Sequence, residues 1–187
     1  SAGLLNHAFQ QAVRAAFESP VPLQSEPSLL DATFHGPTRA DAPRVLSAPI
    51  KTQARMIEKV KSYAEELERQ EEEHPEQFLP LTAQILDPVR CSVVCSDSAA
   101  ILQHALWLIE HGAECGLPVV RAKNKYAVKD SSEYDGYRDL MLCVLFTGRR
   151  GLRIIGEIQL HDARTFPLKV KMHRLYKVKR ATTASAL

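Results

Sequence analysis

The chain lacks any stretch approaching the ~20 consecutive apolar residues that a membrane-spanning helix needs, and its longest apolar run, Leu140 to Phe146, has the length of a buried strand. A membrane partner is not expected. Charge of one sign is also missing in excess: 24 Lys and Arg face 22 Asp and Glu, and a net charge of +2 gives no bulk attraction for nucleic acid or an anionic surface. Cysteine is sparse and unpatterned. Cys91, Cys95, Cys115 and Cys143 form no CxxC pair and sit in or beside apolar segments, which argues against a zinc knuckle or disulfide framework. Reduced, packed thiols in a cytoplasmic setting are the expectation. Gly148 and Gly151 are followed by no GKS or GKT, so they form no phosphate loop, and no motif supports a serine or cysteine nucleophile. The opening SAGLL has neither the charged head nor the apolar core of a signal peptide, and without an initiator Met it reads as a segment of a longer protein.

What is present describes a folded domain. A length of 187 residues suits one domain, or one domain with an arm, burying about 70% of the surface of the unfolded chain. Hydrophobic residues at 45% and charged residues at 25% exclude wholesale disorder and fibrous architectures. Leu4, Ala8, Ala12 and Phe17 mark an amphipathic helix over Leu4 to Phe17, closed by Ser19-Pro20. Six prolines between Pro20 and Pro49 predict an irregular connector, so residues 1–49 read as a helix plus a proline-rich linker and 50–187 as the main domain.

The spacing predicts a long helix from Ile50 to Glu73, with Met56, Val60, Tyr63, Ala64 and Leu67 on one stripe and His74-Pro75 at its end. Lys51, Arg55 and Lys59 recur at i, i+4 and i+8 beside that stripe, a row of cations that follows a polyphosphate or stays solvated. Alternation predicts a strand over Val89 to Cys95. A helix follows, N-capped by Ser98 and ended by Gly112, with Ile101, Leu102, Ala105, Leu106, Leu108 and Ile109 as a broad apolar face and Trp107 at the core or its edge. Pro118 to Asn124 reads as a strand with Arg121 and Lys123 outward. Arg138 to Phe146 and Leu152 to Leu160 read as a hairpin around Thr147 to Gly151. A last helix, Pro167 to Arg180, turns Leu168, Met172, Leu175 and Tyr176 to the sheet and leaves Lys169 and five further basic residues around the rest. The plan is α+β (mixed α/β), with a four- to five-stranded mixed sheet flanked by helices.

Two acids stand in apolar surroundings, Asp87 at a strand mouth and Glu157 within Ile154 to Leu160. A buried carboxylate without a partner costs several kcal/mol, so Glu157 must meet a cation or a metal, or open into a cleft. Period-2 geometry puts Ile155, Glu157 and Gln159 on one face. If Asp87 lies beside Glu157 the pair suits Mg²⁺; the competing reading is a strand salt bridge from Glu157 to Arg90 or Arg138. His161 and His173 read as structural hydrogen-bonding groups, with acid–base work the alternative. The acidic stretch Glu65 to Glu73 reads as a solubilising helix end.

Taken together, Lys51 and Lys59 on a helix, Asp87 with Arg90, the Gly136-Tyr137-Arg138-Asp139 turn and Glu157-Ile158-Gln159-Leu160-His161 resemble the synthetase domain of RelA/SpoT-type proteins, of the nucleotidyltransferase superfamily. The resemblance covers roughly Ile50 to Ala181 and is to a divergent branch. It implies a RelA/SpoT-like nucleotidyltransferase fold and Mg²⁺-dependent transfer of pyrophosphate from ATP to a nucleotide or RNA 3′-hydroxyl, a purine nucleotide being the first acceptor and RNA a further one. The alternative is a domain that keeps the fold but has lost catalysis, a nucleotide- or protein-binding module. On the resemblance, Asp87 and Glu157 hold the metal and act catalytically, Tyr137 stacks on the acceptor base, and Lys51, Lys59 and Arg55 clamp ATP. Arg90, Arg121, Lys123, Arg138 and Gln159 complete the substrate contacts. Met141 stands where bacterial synthetases usually carry a His, and Glu133 where they often carry a Lys; both departures fall on the acceptor side.

Overall fold

The computed structural model describes residues 2–18, 42–70, 85–127 and 137–172. In chain order these form α1 (Ala2–Glu18), β1 (Arg44–Ser47), α2 (Gln53–Gln70), β2 (Val89–Cys95), α3 (Ser98–His111), β3 (Val119–Asn124), β4 (Leu140–Thr147) and β5 (Arg153–Asp162), with residues 166–172 helical after β5. The strands make one sheet in the order β1-β2-β5-β4-β3. Only β2 and β5 run parallel, so the sheet is mixed, as the sequence predicts.

Strand alternation divides the sheet into an apolar and a polar face. Val89, Cys91, Val93, Leu142, Val144, Phe146, Ile158 and Leu160 form the core together with residues of α1 and α3. From α1 come Leu5, Phe9, Val13, Ala16 and Phe17, whose 3–4 spacing makes one helical stripe. Phe9 is fully enclosed and meets Phe146 edge to face, ring centroids 5.8 Å apart. Burying such a ring is worth ~1.5–3 kcal/mol. Its resting place is Gly156 on β5, where a Cβ would come within 2.5 Å of the Phe9 ring. At the end of the hairpin, Gly151 adopts φ 72° and its N–H donates to Gly148 O at 2.9 Å, a left-handed turn that favours glycine.

Several expectations change at this level. Residues 44–47 form an edge strand antiparallel to β2 within the expected linker, and α1 shares the core of the sheet. The stripe of α1 is centred on Leu5, Phe9 and Val13, with Ala8 and Ala12 at its margin. Asp97, not Ser98, caps α3: its carboxylate accepts from the Ala100 N–H at 2.9 Å. Of the broad apolar face of α3, Ile101, Ala105 and Leu108 are buried, while Leu102, Leu106 and Ile109 remain about half exposed. Trp107 packs at the core margin. The helix at 50 starts later, at Gln53, which leaves Lys51 in the segment leading into it. The expected connector residues 20–41, the acidic residues 71–73, His74-Pro75, Glu133, the turn at 135–136, His173, Leu175, Tyr176 and Arg180 lie outside the described residues, as does the side chain of Leu67.

Candidate functional site

The polar face of the sheet gathers the chemistry. Parallel pairing sets Arg90 beside Glu157 and Ser92 beside Gln159; antiparallel pairing sets Cys143 beside Glu157 and Met141 beside Gln159. The same alternation carries His161 onto this face, and β3 contributes Arg121 opposite Cys143 and Lys123 opposite Met141.

Asp87 stands just before β2 and is buried, and both of its oxygens are taken by ammonium groups. Lys51 donates to Oδ2, and Lys59 donates to Oδ1 at 2.9 Å. Two elements converge to do this. The segment before α2 is tied to β2 through Lys51 N–H to Pro88 O, and Lys59 descends from the second turn of α2. Burial works against the Asp87 charge, but the bonds from Lys51 and Lys59 outweigh it and hold the carboxyl below its ordinary value. Its two partners shift oppositely. For Lys51, with a side chain only 12% exposed, burial prevails and lowers the pKa; Lys59, at 32%, also suffers burial, but its bonds to Asp87 and Tyr63 raise it overall. Arg55, expected in the same row, lies exposed and pairs with Glu58 along the helix. The row of three is therefore a pair of lysines on Asp87 and one solvated arginine.

Glu157 is buried at 8% exposure and its pKa is raised, first by burial and then by the charge of Asp87. That coupling places the two acids in one electrostatic neighbourhood, although they are seventy positions apart in sequence. Opposing the rise, Gln159 donates its amide to Glu157 Oε1, and the Arg90 guanidinium lowers the pKa. Arg90 is half-buried, and its enclosed Nε meets no hydrogen-bond partner among the described residues.

Beyond Gln159 lies a cluster centred on Lys169. This lysine belongs to the helical segment 166–172, and its ammonium reaches Gln159 Oε1 at 2.7 Å, Ser92 Oγ at 2.8 Å and His161 Nε2 at 2.7 Å. Three protons meet three acceptors. Burial lowers Lys169 to about 8, and it takes His161 down to about 3, helped by the charges of Lys169 and Lys125. A neutral His161 accepting at Nε2 carries its proton on Nδ1. Tyr137 lies edge-on to His161, ring centroids 6.1 Å apart, with the Lys125 ammonium 4.9 Å above its own ring. Lys125 also pairs at 2.9 Å with Asp139, which is fully buried. Burial and then Asp139 push the Tyr137 hydroxyl far up, so it stays protonated.

The remaining expected residues fall around this centre. Arg121 is exposed and Lys123 half-buried on β3, and Arg138 donates to the Tyr137 carbonyl at 3.1 Å. Sequence reasoning, through the resemblance, grouped Asp87, Glu157, Arg90, Lys51, Lys59 and Gln159, and the structure sets Arg90 beside Glu157, Gln159 on the Glu157 carboxylate and both lysines on Asp87. That reasoning missed Ser92, Lys125, Asp139 and above all Lys169, which had been set on a solvated helix face with Leu168 turned inward. The reverse holds: Leu168 is 56% exposed and Lys169 enters the sheet's polar face. His161 was read as a hydrogen-bonding group, and period 2 continued from Glu157 and Gln159 would have led to its place in the cluster. Nothing in the sequence flags the inward turn of Lys169.

Among the described residues no three His, Cys, Asp or Glu side chains gather as a metal cluster. Asp87 and Glu157 are the carboxylates of this region that would hold Mg²⁺, which is commonly bound by one or two carboxylates together with water and phosphate oxygens. Within the described residues, no helix is long and apolar enough to cross a membrane.

No protein-family model matches the chain, and no curated protein does. Solved structures do. The crystal structure of small alarmone synthetase 1 from Bacillus subtilis bound to its product pppGpp superposes with a TM-score of 0.61 at 16% identity, over 94% of this chain and 78% of that one. A further crystal structure of small alarmone synthetase 1 from Bacillus subtilis gives 0.54 at 22% identity, over 72% of this chain and 62% of that one. The chain thus has the RelA/SpoT-like nucleotidyltransferase fold, at 16% and 22% identity to these two structures.

Proposed function

We propose that this chain is a Mg²⁺-dependent pyrophosphokinase-like domain that transfers pyrophosphate from ATP to the 3′-hydroxyl of a nucleotide or an RNA. The observation that carries the reading is the arrangement at the entry of β2, where Asp87 is held by Lys51 and Lys59 and Arg90, three residues on, lies beside Glu157 of β5. Transfer of this kind asks chiefly for positioning and charge neutralisation, which such a set of groups supplies. The oxygens of Asp87 and Glu157 would hold Mg²⁺, which when bound neutralises phosphate charge.

In this reading Lys51 and Lys59 exchange their bonds to Asp87 for bonds to the ATP phosphates, and Arg55 serves the outer phosphate or ribose. The acceptor oxygen attacks the β-phosphorus, an O–P bond forms, the bond from that phosphorus to the α–β bridging oxygen breaks, and AMP leaves. Glu157 takes the hydroxyl proton, for which its raised pKa is suited. Tyr137 offers a ring to the acceptor base, a contact worth ~1–3 kcal/mol. Arg90, Arg121, Lys123 and Arg138 supply further positive charge, and Gln159 steadies Glu157. The purine acceptor is the first expectation because a structurally similar synthetase was solved with pppGpp.

A second reading, a nucleotide-binding module without catalysis, is favoured by one feature: both oxygens of Asp87 are already engaged by lysines. The two readings separate in one experiment. Labelled ATP and Mg²⁺ are incubated with GDP, GTP, ATP or bulk tRNA, beside a Glu157→Gln control. Transfer to any acceptor that the control abolishes supports the enzyme. ATP binding that survives Asp87→Asn, with no transfer by the unaltered chain, supports the module.

A further inference from the structure

We infer that Lys169 is a positioning residue for Glu157, acting through Gln159: it fixes which way round the Gln159 amide lies, and so keeps an N–H donor on the carboxylate. The functional weight of this inference rests on the proposed role of Glu157, while its structural content stands on the geometry alone.

A glutamine amide can present oxygen or nitrogen at either end, and the choice is set by its neighbours. Here the two ends meet opposite demands. Glu157 accepts and so requires the NH₂ end, while the ammonium of Lys169, which only donates, requires the oxygen end at 2.7 Å. Either contact alone leaves the flipped amide at the cost of one lost bond; together they exclude it. Lys169 is itself oriented because its other two protons are engaged by Ser92 Oγ and His161 Nε2, at 2.8 Å and 2.7 Å. His161 can accept only while neutral, and the position of the lysine between strands β2 and β5 fixes its reach. The relay therefore runs from the helical segment 166–172, across the sheet, to the acid at the centre of the polar face. A lysine serving only solubility would not give all three protons to buried or half-buried acceptors on two different strands.

The test reads the Gln159 side-chain amide directly in full-length protein. In the unaltered chain the two NH₂ protons of Gln159 should be well dispersed by NMR, and their exchange with water should be at least tenfold slower than for an exposed glutamine. Lys169→Met should collapse the dispersion and remove the protection, while Ser92→Ala, which leaves the Lys169–Gln159 contact in place, should preserve both. Where transfer activity is present, Lys169→Met should lower kcat about tenfold or more with the KM for ATP within about twofold. An unchanged Gln159 signature in folded Lys169→Met overturns the inference, whether or not the protein turns over ATP. Should Lys169→Met fail to fold, Lys169→Arg decides: a preserved signature supports the relay, and loss of the signature in a folded Arg variant overturns a role that depends on donation alone. Absence of turnover by the unaltered chain with every acceptor defeats the proposed function and leaves the amide signature to judge this relay.

Discussion

Replacing Asp87 by Asn removes one charge and leaves Lys51 and Lys59 converging on a neutral amide. An enclosed ion pair broken on one side costs ~3–5 kcal/mol, and an exposed one ~0.2–1 kcal/mol. Asp87 and Lys51 have side chains 12% exposed and Lys59 is at 32%, which puts this cluster between those limits. Asn keeps the volume and one acceptor oxygen, so a loss of about 2 kcal/mol is expected. For a chain of this size 1 kcal/mol moves Tm by roughly 2–4 °C, and Asp87→Asn should therefore melt about 4–8 °C lower at pH 7. The sign with pH follows from the depressed pKa of Asp87. Its stabilisation is complete above the unfolded value near 4 and is lost as pH falls through the lower folded value, so the gap between the two proteins should close below about pH 4. Differential scanning calorimetry across pH 3–8 measures it. Equal melting at pH 7, or a gap that widens in acid, would refute the view that the two lysines stabilise the folded chain through this carboxylate.

Glu157→Gln should act in the opposite sense on stability. Because burial and Asp87 raise the folded pKa of Glu157, its ionised form is penalised at neutral pH, and the neutral amide should raise Tm by ~2–4 °C at pH 7.5 with the difference fading toward pH 4. The same variant should lose pyrophosphate transfer by at least about 100-fold in the labelled-ATP assay. Gly156→Ala should destabilise by ~1–3 kcal/mol in urea unfolding, since the new methyl meets the enclosed Phe9 ring. A thiol reagent at pH 8 should label Cys115 promptly and Cys91, Cys95 and Cys143 only on unfolding, because the latter three are buried and burial pushes Cys95 to about 12.

The parts of the fold that sequence made legible are those where period and local chemistry agree. Alternation in 89–95 and 153–162, with a glycine-bearing turn between β4 and β5, places the three central strands. β1 was illegible because four residues, Arg44–Ser47, between Pro43 and Pro49 carry too short a pattern to outweigh the prolines around them; an edge strand tolerates such neighbours. Lys51 fell outside its helix because i, i+4 spacing says nothing about where a helix begins. Its convergence with Lys59 on Asp87 arises from the turn before α2, not from a helical row. Lys169 was misplaced for a more general reason. Charge on a helix predicts solvent only if the surface beneath is apolar, and here the helix meets a sheet face carrying Ser92, Gln159 and His161, whose acceptors repay the burial of the ammonium.

The two faces of β5 bind the core to the site more tightly than proximity alone. Gly156 admits the Phe9 ring on one side, and Glu157, the next residue, must then point to the other, beside Arg90 and Cys143. A slip of one residue in the pairing of β5 would bring Glu157 under Phe9, and Gly156 onto the polar face. The fit of Phe9 on Gly156 makes that alternative both a steric clash and a buried unpaired charge. Helix α1 therefore helps to hold the register that sets Glu157 on the same side as Gln159 and Lys169. Its apolar stripe and the polar chemistry across the sheet are two consequences of one strand alignment.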